Sequence, residues 1–217
     1  MPNPDFGMWK DYQQLAKIKS GGARVADRQF WAVGCSITHG VGVATEQTWK
    51  HLVSNTLALP YTDLSASGSS VLWQSDQICQ SQIQSGDLVL WAITVPPRLP
   101  VIRNQDLFHL TPGEYHHDPQ INQEFPIDLL THPTLVYHNI QAVRRAENIC
   151  KLVGARLIVQ SVLYDFDNAR DLYGVRDYCA SCSSPDQWQD LGTDSMHPGP
   201  KQHEIFAKTF LTLIDPN

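Results

Sequence analysis

The chain has 217 residues, 42% of them hydrophobic and 18% charged, with a formal net charge of −6. Its length and apolar fraction suit one α/β domain with a real core. The acidic balance argues against a nucleic-acid partner, because neutralising phosphates takes clustered Lys and Arg and the longest basic cluster is Arg144-Arg145. No apolar run reaches the roughly 18 residues that a membrane span needs.

Residues 1–27 are polar and mixed, broken by Gly21-Gly22, and are expected to form a strap over the domain. They have neither the basic start nor the apolar stretch of a signal peptide, so a cytoplasmic setting, host or viral, is expected. Residues 29–33 are short, apolar and aromatic and stop at Gly34, which predicts a buried strand running into a tight turn. The spacing of Trp49, Leu52, Val53 and Leu57 predicts a helix over 46–57. A second short strand at 61–64 leads into the small-residue loop Ser65-Ala66-Ser67-Gly68-Ser69-Ser70, and 71–83 reads as a helix presenting Leu72, Ile78 and Ile83 to the core.

The clearest strand is 88–93, introduced by the turn Ser85-Gly86-Asp87; its unbroken apolarity suggests burial on both faces, as in a parallel sheet. The stretch about 95–135, rich in Pro, Asp, Asn and His, is expected to be a long irregular insertion within the domain. Helical periodicity returns over 137–152 and Gly154 stops it. Another buried strand follows at 156–160, then a polar loop over about 165–193, and Pro200 opens a last helix through 213. Strands alternating with helices imply right-handed βαβ units. The expected architecture over 1–217 is a single three-layer α/β/α sandwich around a mostly parallel sheet.

Five cysteines, at 35, 79, 150, 179 and 182, are an odd number with no disulfide-framework spacing. Cys79 and Cys150 read as buried thiols in helices. The pair Cys179 and Cys182 lacks the second pair of ligands a structural zinc site needs, and no metal site is assigned. His116-His117-Asp118 reads as a solvated loop, because adjacent residues rarely share one metal ion.

In a parallel sheet, ligands bind at the carboxyl ends of the strands. Gly34-Cys35-Ser36-Ile37-Thr38-His39-Gly40 follows the first strand, so Ser36 projects from a turn whose backbone N–H groups can face a developing anion. A loop Ser that caps the next helix explains this segment equally well. Near the other end stands Asp194-Ser195-Met196-His197-Pro198. A hydrolytic Ser needs a general base, and that His needs a partner to fix its tautomer, which an Asp three residues earlier can supply. Taken alone, this second segment also reads as a polar loop.

Together the two segments stand in the chain order of the SGNH (GDSL-like) serine hydrolases, which the sequence resembles from about 29 to 214. Gly34 and Ser36 match the family's first block, Gly68 in its small-residue loop the second, and Asp194, His197 and Pro198 the last. Two positions depart: Cys35 stands where the family has Asp, and Thr94 where it has the Asn of its third block. The form Gly34-Cys35-Ser36-Ile37-Thr38-His39-Gly40 is similar to a viral and bacterial subgroup with G-C-S-F-T-x-G.

The resemblance implies the flavodoxin-like fold of that family and acyl transfer to Ser36. His197 would act as base and then acid, oriented by Asp194, with the N–H groups of Ser36 and Gly68 and the Thr94 hydroxyl around the oxyanion. No cofactor is implied. Expected substrates are small-molecule or glycan esters, with a short acyl group such as acetyl favoured by the small loop residues. Arg98, His39 and Trp188 are the residues expected to reach substrate, and each also reads as an ordinary surface or packing residue. Cys35 is expected to turn back into the apolar surroundings of the sheet and stay inert. The alternative is an SGNH-like domain that binds glycans or serves viral assembly without turnover, an option the missing Asn leaves open. The sequence does not fix the oligomeric state.

Overall fold

The computed structural model describes residues 28–93, 98–103, 106–110, 133–162, 174–175, 177–179 and 187–215. The expected strap over 1–27 and most of the expected insertion fall outside them.

Five strands build the main sheet: β1 (Phe30–Gly34), β2 (Tyr61–Ser65), β3 (Leu88–Ile93), β6 (Arg156–Ser161) and β7 (Asp177–Cys179). Their order is β2-β1-β3-β6-β7 and every pairing is parallel. Between β3 and β6 the chain also makes an antiparallel pair, β4 (Leu99–Arg103) with β5 (Asp106–Leu110), inside the stretch expected to be irregular. The helices are α1 (Ser36–His39), α2 (Trp49–Leu57), α3 (Val71–Gln80), α4 (Pro133–Val153) and α5 (Pro200–Ile214).

Successive strand residues point to opposite faces, and the core divides accordingly. Trp31, Val33, Val89, Trp91, Leu157 and Val159 pack on one face with Val71 and Ile78 of α3 and Val143, Ala146 and Cys150 of α4. Phe30, Ala32, Leu88, Leu90 and Ile158 pack on the other with Trp49 and Val53 of α2 and Phe206 and Phe210 of α5. The sandwich is therefore α3/α4, sheet, α2/α5. Every residue of β1 and β3 is buried, which is why those segments read as unbroken apolar runs.

Two polar side chains tie the layers. Asp87 is fully buried at the amino edge, where Oδ1 accepts from the Gln29 N–H and Oδ2 from Trp31 Nε1 and the Gln84 N–H. It thereby joins the starts of β1 and β3. His203 of α5 is also fully buried, and its Nδ1 accepts from the N–H of Trp49, the first residue of α2, at 3.2 Å. Thr48, the residue before that helix, makes no side-chain cap; the imidazole takes over one of the orphaned N–H groups of the helix start. Burial, and then the nearby Lys50 ammonium, push the His203 imidazole down to about 4, so it is neutral at pH 7.

The expected helix over 46–57 is divided. Residues Thr45–Gln47 form a single 3-10 turn, and Thr48 is extended (φ −70°, ψ 145°) before α2 begins. The expected polar loop after β6 contains β7, whose register sets Ile158 opposite Asp177 and Gln160 opposite Cys179.

Candidate active site

Register brings the chemistry to one edge. Gly34 stands opposite both Ser65 and Ala92, and Ile93 opposite Ser161, so the carboxyl ends of four strands lie level. Ser36 sits just beyond Gly34 as the first residue of α1 and is 6% exposed. Gly34 is required by close approach: a Cβ there would lie 2.1 Å from Thr38 Oγ1 and 2.9 Å from the Ala92 carbonyl oxygen. The Gly and Thr of this block therefore fit one another in packing, and the turn that carries Ser36 closes tightly over β1. Cys35 is fully buried in the α2/α5-side core, with Sγ 3.6 Å from Ser36 Oγ.

The loop after β2 is bonded to the same turn. The Ala66 N–H (3.2 Å) and the Ser69 hydroxyl (3.0 Å) both donate to the Gly34 carbonyl. Gln74 Nε2 in turn donates to the Ser69 hydroxyl and carbonyl, while Gln74 Oε1 accepts from Trp91 Nε1 at 2.6 Å. A buried polar chain from β3 through α3 thus fixes the loop. Gly68 sits at its tip with φ +73° and open space where a Cβ would stand. Among the described residues, neither the Ser36 nor the Gly68 N–H donates to another protein group.

The third segment precedes α5. Asp190 caps that helix, accepting from the Lys201 and Gln202 N–H groups at 3.0 Å each. The chain then reverses, with Gly192 N–H donating to the His197 carbonyl at 2.8 Å and Ser195 in the left-handed region at φ +57°. That reversal lets the Asp194 carboxylate fold back on its own loop. Its Oδ1 accepts from the Met196 and His197 N–H groups at 3.0 Å each, and Oδ2 lies 2.5 Å from His197 Nδ1. The two backbone N–H bonds first, and then the His197 side chain, hold the Asp194 carboxyl down at about 2.

This loop is seated on the turn that follows α1. The Thr193 N–H donates to the Gly42 carbonyl at 2.8 Å, and a Cβ on Gly42 would stand 2.9 Å from Asp194 Oδ1. A Cβ on Gly192 would in turn lie 2.7 Å from the Gly42 oxygen. Two glycines meeting back to back bring the Asp194–His197 loop against the turn that follows α1; no hydrogen bond joins His197 to the Ser36 hydroxyl, whose partner among the described residues is Cys35 Sγ.

The other expected site residues divide. Arg98 lies on the Gly68 loop, donating from Nη1 to the Ser69 carbonyl at 3.4 Å. His39 is exposed at the end of α1. Trp188 is half-buried and packs against the α2/α5-side core. Thr94 lies outside the described residues.

Sequence reasoning did not single out Lys50. Its side chain is 5% exposed, and Nζ is ion-paired with Asp63 on edge strand β2 while also donating to the His39 carbonyl at 3.3 Å. Asp63 Oδ1 accepts from the Ser65 N–H and hydroxyl. Lys50 thereby anchors the far end of the Ser36 helix to the strand that leads into the Gly68 loop. The signal was a charge at i relative to Val53 (i+3) and Leu57 (i+7), on the apolar stripe of α2. Lys50→Met strands the Asp63 charge, which is 32% exposed. The expected loss in urea unfolding is therefore about 2 kcal/mol, below the ~3–5 kcal/mol of a fully buried pair.

No protein-family model matches the chain, and no curated protein matches it in sequence. Solved structures match in fold. One is an acetyl xylan esterase from the rumen bacterium Butyrivibrio proteoclasticus, with a TM-score of 0.52 at 13% identity over 89% of this chain and 65% of that one. Another is a carbohydrate esterase whose active site displays divergent catalytic and non-catalytic binding functions, with a TM-score of 0.52 at 10% identity over 88% of this chain and 65% of that one. The chain thus spans less than two-thirds of the length of either protein. At these identities the fold is what is shared, and it is one that esterases use.

Proposed function

We propose that the chain is a serine esterase of the SGNH type, cleaving esters through an acyl-enzyme on Ser36. The observation that carries this reading is the 2.5 Å contact between Asp194 Oδ2 and His197 Nδ1, on a loop seated against the turn that follows α1, the short helix that Ser36 opens. With Nδ1–H held by Asp194, Nε2 is the free acceptor that a general base requires.

Ser36 Oγ attacks the ester carbonyl and gives its proton to His197. The bond to the alcohol oxygen then breaks as His197 returns that proton to it. Water repeats the sequence on the acyl-enzyme, leaving the acid and free Ser36. The open N–H groups of Ser36 and Gly68, with the Thr94 hydroxyl, are the donors assigned to the oxyanion; one such donor is worth about 10²–10³ in rate. Esters with a short acyl group, on a small alcohol or a glycan, suit the small residues around Gly68.

The second reading is a glycan-binding or assembly domain without turnover, favoured by Thr94 standing where SGNH enzymes carry Asn. Assay against p-nitrophenyl acetate and acetylated sugars separates the two. The proposal expects turnover of at least one, abolished by His197→Ala; binding of sugars with no release of acid would support the second reading.

A further inference from the structure

We infer, on the basis of the esterase reading, that Gln74 is a positioning residue for the reaction. Through Ser69 it locks the Ser36 turn and the Gly68 loop, the two backbone sources of oxyanion donors, into one fixed arrangement.

Trp91, Gln74, Ser69 and Gly34 are joined by a run of hydrogen bonds with only one possible direction. An indole N–H only donates and a backbone carbonyl only accepts. The bond from Trp91 Nε1 (2.6 Å) must therefore end on Gln74 Oε1, and Nε2 must face the Ser69 carbonyl (3.1 Å). The second hydrogen on Nε2 goes to the Ser69 hydroxyl at 2.9 Å, which leaves that hydroxyl to donate its own proton to the Gly34 carbonyl at 3.0 Å. Trp91, Gln74 and Ser69 are all fully buried, so bulk water does not compete for these bonds. The run starts on β3 and ends two residues before Ser36.

Both sources of donors are set by it. The Gly34 carbonyl belongs to the peptide next to the one that supplies the Ser36 N–H, and two donors fix it, the Ser69 hydroxyl and the Ala66 N–H. Ser69 follows Gly68 and is tied by its hydroxyl, its carbonyl and its N–H, which donates to the Ala66 carbonyl at 3.1 Å. A satisfied buried network adds little net stability; its effect is to select one arrangement. Catalysis depends on that selection, since a displacement of about 1 Å can cost ~10² in rate.

The neighbouring residue on α3 separates positioning from stability. Ser75 is equally buried, and its hydroxyl donates to the Ala142 carbonyl at 2.7 Å. That bond ties α3 to α4 and has no member in the Ser36 turn or the Gly68 loop.

The test follows p-nitrophenyl acetate hydrolysis and, separately, the rate at which a fluorophosphonate labels Ser36. Wild type is compared with Gln74→Met, Ser69→Ala, their double variant and Ser75→Ala, each also unfolded in urea. Met matches Gln in length and can make none of its three bonds. Gln74→Met is expected to lower kcat about 10²-fold and Ser69→Ala about tenfold or more, with KM within about threefold of wild type. KM is spared because the oxyanion forms in acylation and deacylation and not in the bound ester. Labelling slows in step. The double variant is little slower than Gln74→Met, because both changes break one run. Ser75→Ala loses stability and keeps the wild-type kcat. Wild-type kcat in both Gln74→Met and Ser69→Ala, a change in KM alone, or an equal loss of kcat in Ser75→Ala overturns the positioning role and leaves the esterase reading standing. If Gln74→Met fails to fold, Ser69→Ala against Ser75→Ala decides; if the acetate is not turned over, the labelling rates give the same comparison. A wild-type protein that is neither labelled nor active takes down the esterase reading, and the role of Gln74 with it.

Discussion

Replacing Ser36 by Ala is expected to remove nearly all ester hydrolysis, about 10⁴-fold or more, while Cys35→Ala keeps most of it. The contrast matters because a thiolate is the better nucleophile at neutral pH and the two side chains are only 3.6 Å apart. Their surroundings differ. Cys35 is fully buried among Phe30, Ile37 and Trp49 in the α2/α5-side core, where neither a substrate nor a reagent reaches its sulfur. Ser36 opens α1 at the carboxyl end of β1, and the Asp194–His197 loop is seated on the turn that follows that helix. A fluorophosphonate should therefore add to Ser36 in wild type and in Cys35→Ala, and iodoacetamide on the native protein should spare both Cys35 and the activity. Cys35→Ala leaves a small void in a packed layer, so a stability loss of about 1–2 kcal/mol is expected without a matching loss of rate. If Cys35→Ala is the inactive variant, the enzyme is a cysteine hydrolase and the nucleophile has been placed one residue too late.

How much of this could be seen in the sequence depended on how local each signal was. β1 and β3 are buried on both faces, so their apolar runs were sufficient. β7 has only three residues, with Tyr178 its single buried side chain; a strand that short has no period to detect. Asp194 and His197 were legible because their contact closes within four residues. The seat beneath them was not, since Gly42 and Gly192 lie 150 positions apart in the chain and neither glycine announces its partner. The same holds for the Ser69, Gln74 and Trp91 chain, whose members lie on a loop, a helix and a strand that only the folded sheet brings together. Thr48 escaped for a different reason. Apolar spacing ran through it, while its extended backbone depends on the Trp49 N–H finding His203, 154 positions away.

Asp194→Asn is expected to lower kcat by about 10²–10⁴-fold at neutral pH while leaving the acid stability between pH 6.5 and 4 unchanged. The kinetic effect follows from how the carboxylate is used. Oδ1 already accepts two backbone N–H groups, and Oδ2 faces His197 Nδ1. An Asn would keep its carbonyl oxygen on the backbone pair and turn its amide toward Nδ1. That donor forces Nδ1 to accept, moves the imidazole proton to Nε2, and leaves no base for Ser36. The pH windows separate this role from stability. Asp194 is held down at about 2 from an ordinary 3.8, so its stabilisation is present above pH 4 and lost as pH falls toward 2. His203 is pushed down to about 4 from 6.5, so its unfavourable protonation in the folded state costs stability as pH falls from 6.5 to 4, by about 3 kcal/mol in full. Urea unfolding at pH 7, 5 and 3 should show more than half of that loss between 7 and 5 in wild type and in Asp194→Asn alike, and should not show it in His203→Gln, which has nothing to protonate. Should Asp194→Asn keep kcat within tenfold of wild type, another group must orient His197, and the assignment of Asp194 to the reaction fails even with its helix-side loop intact.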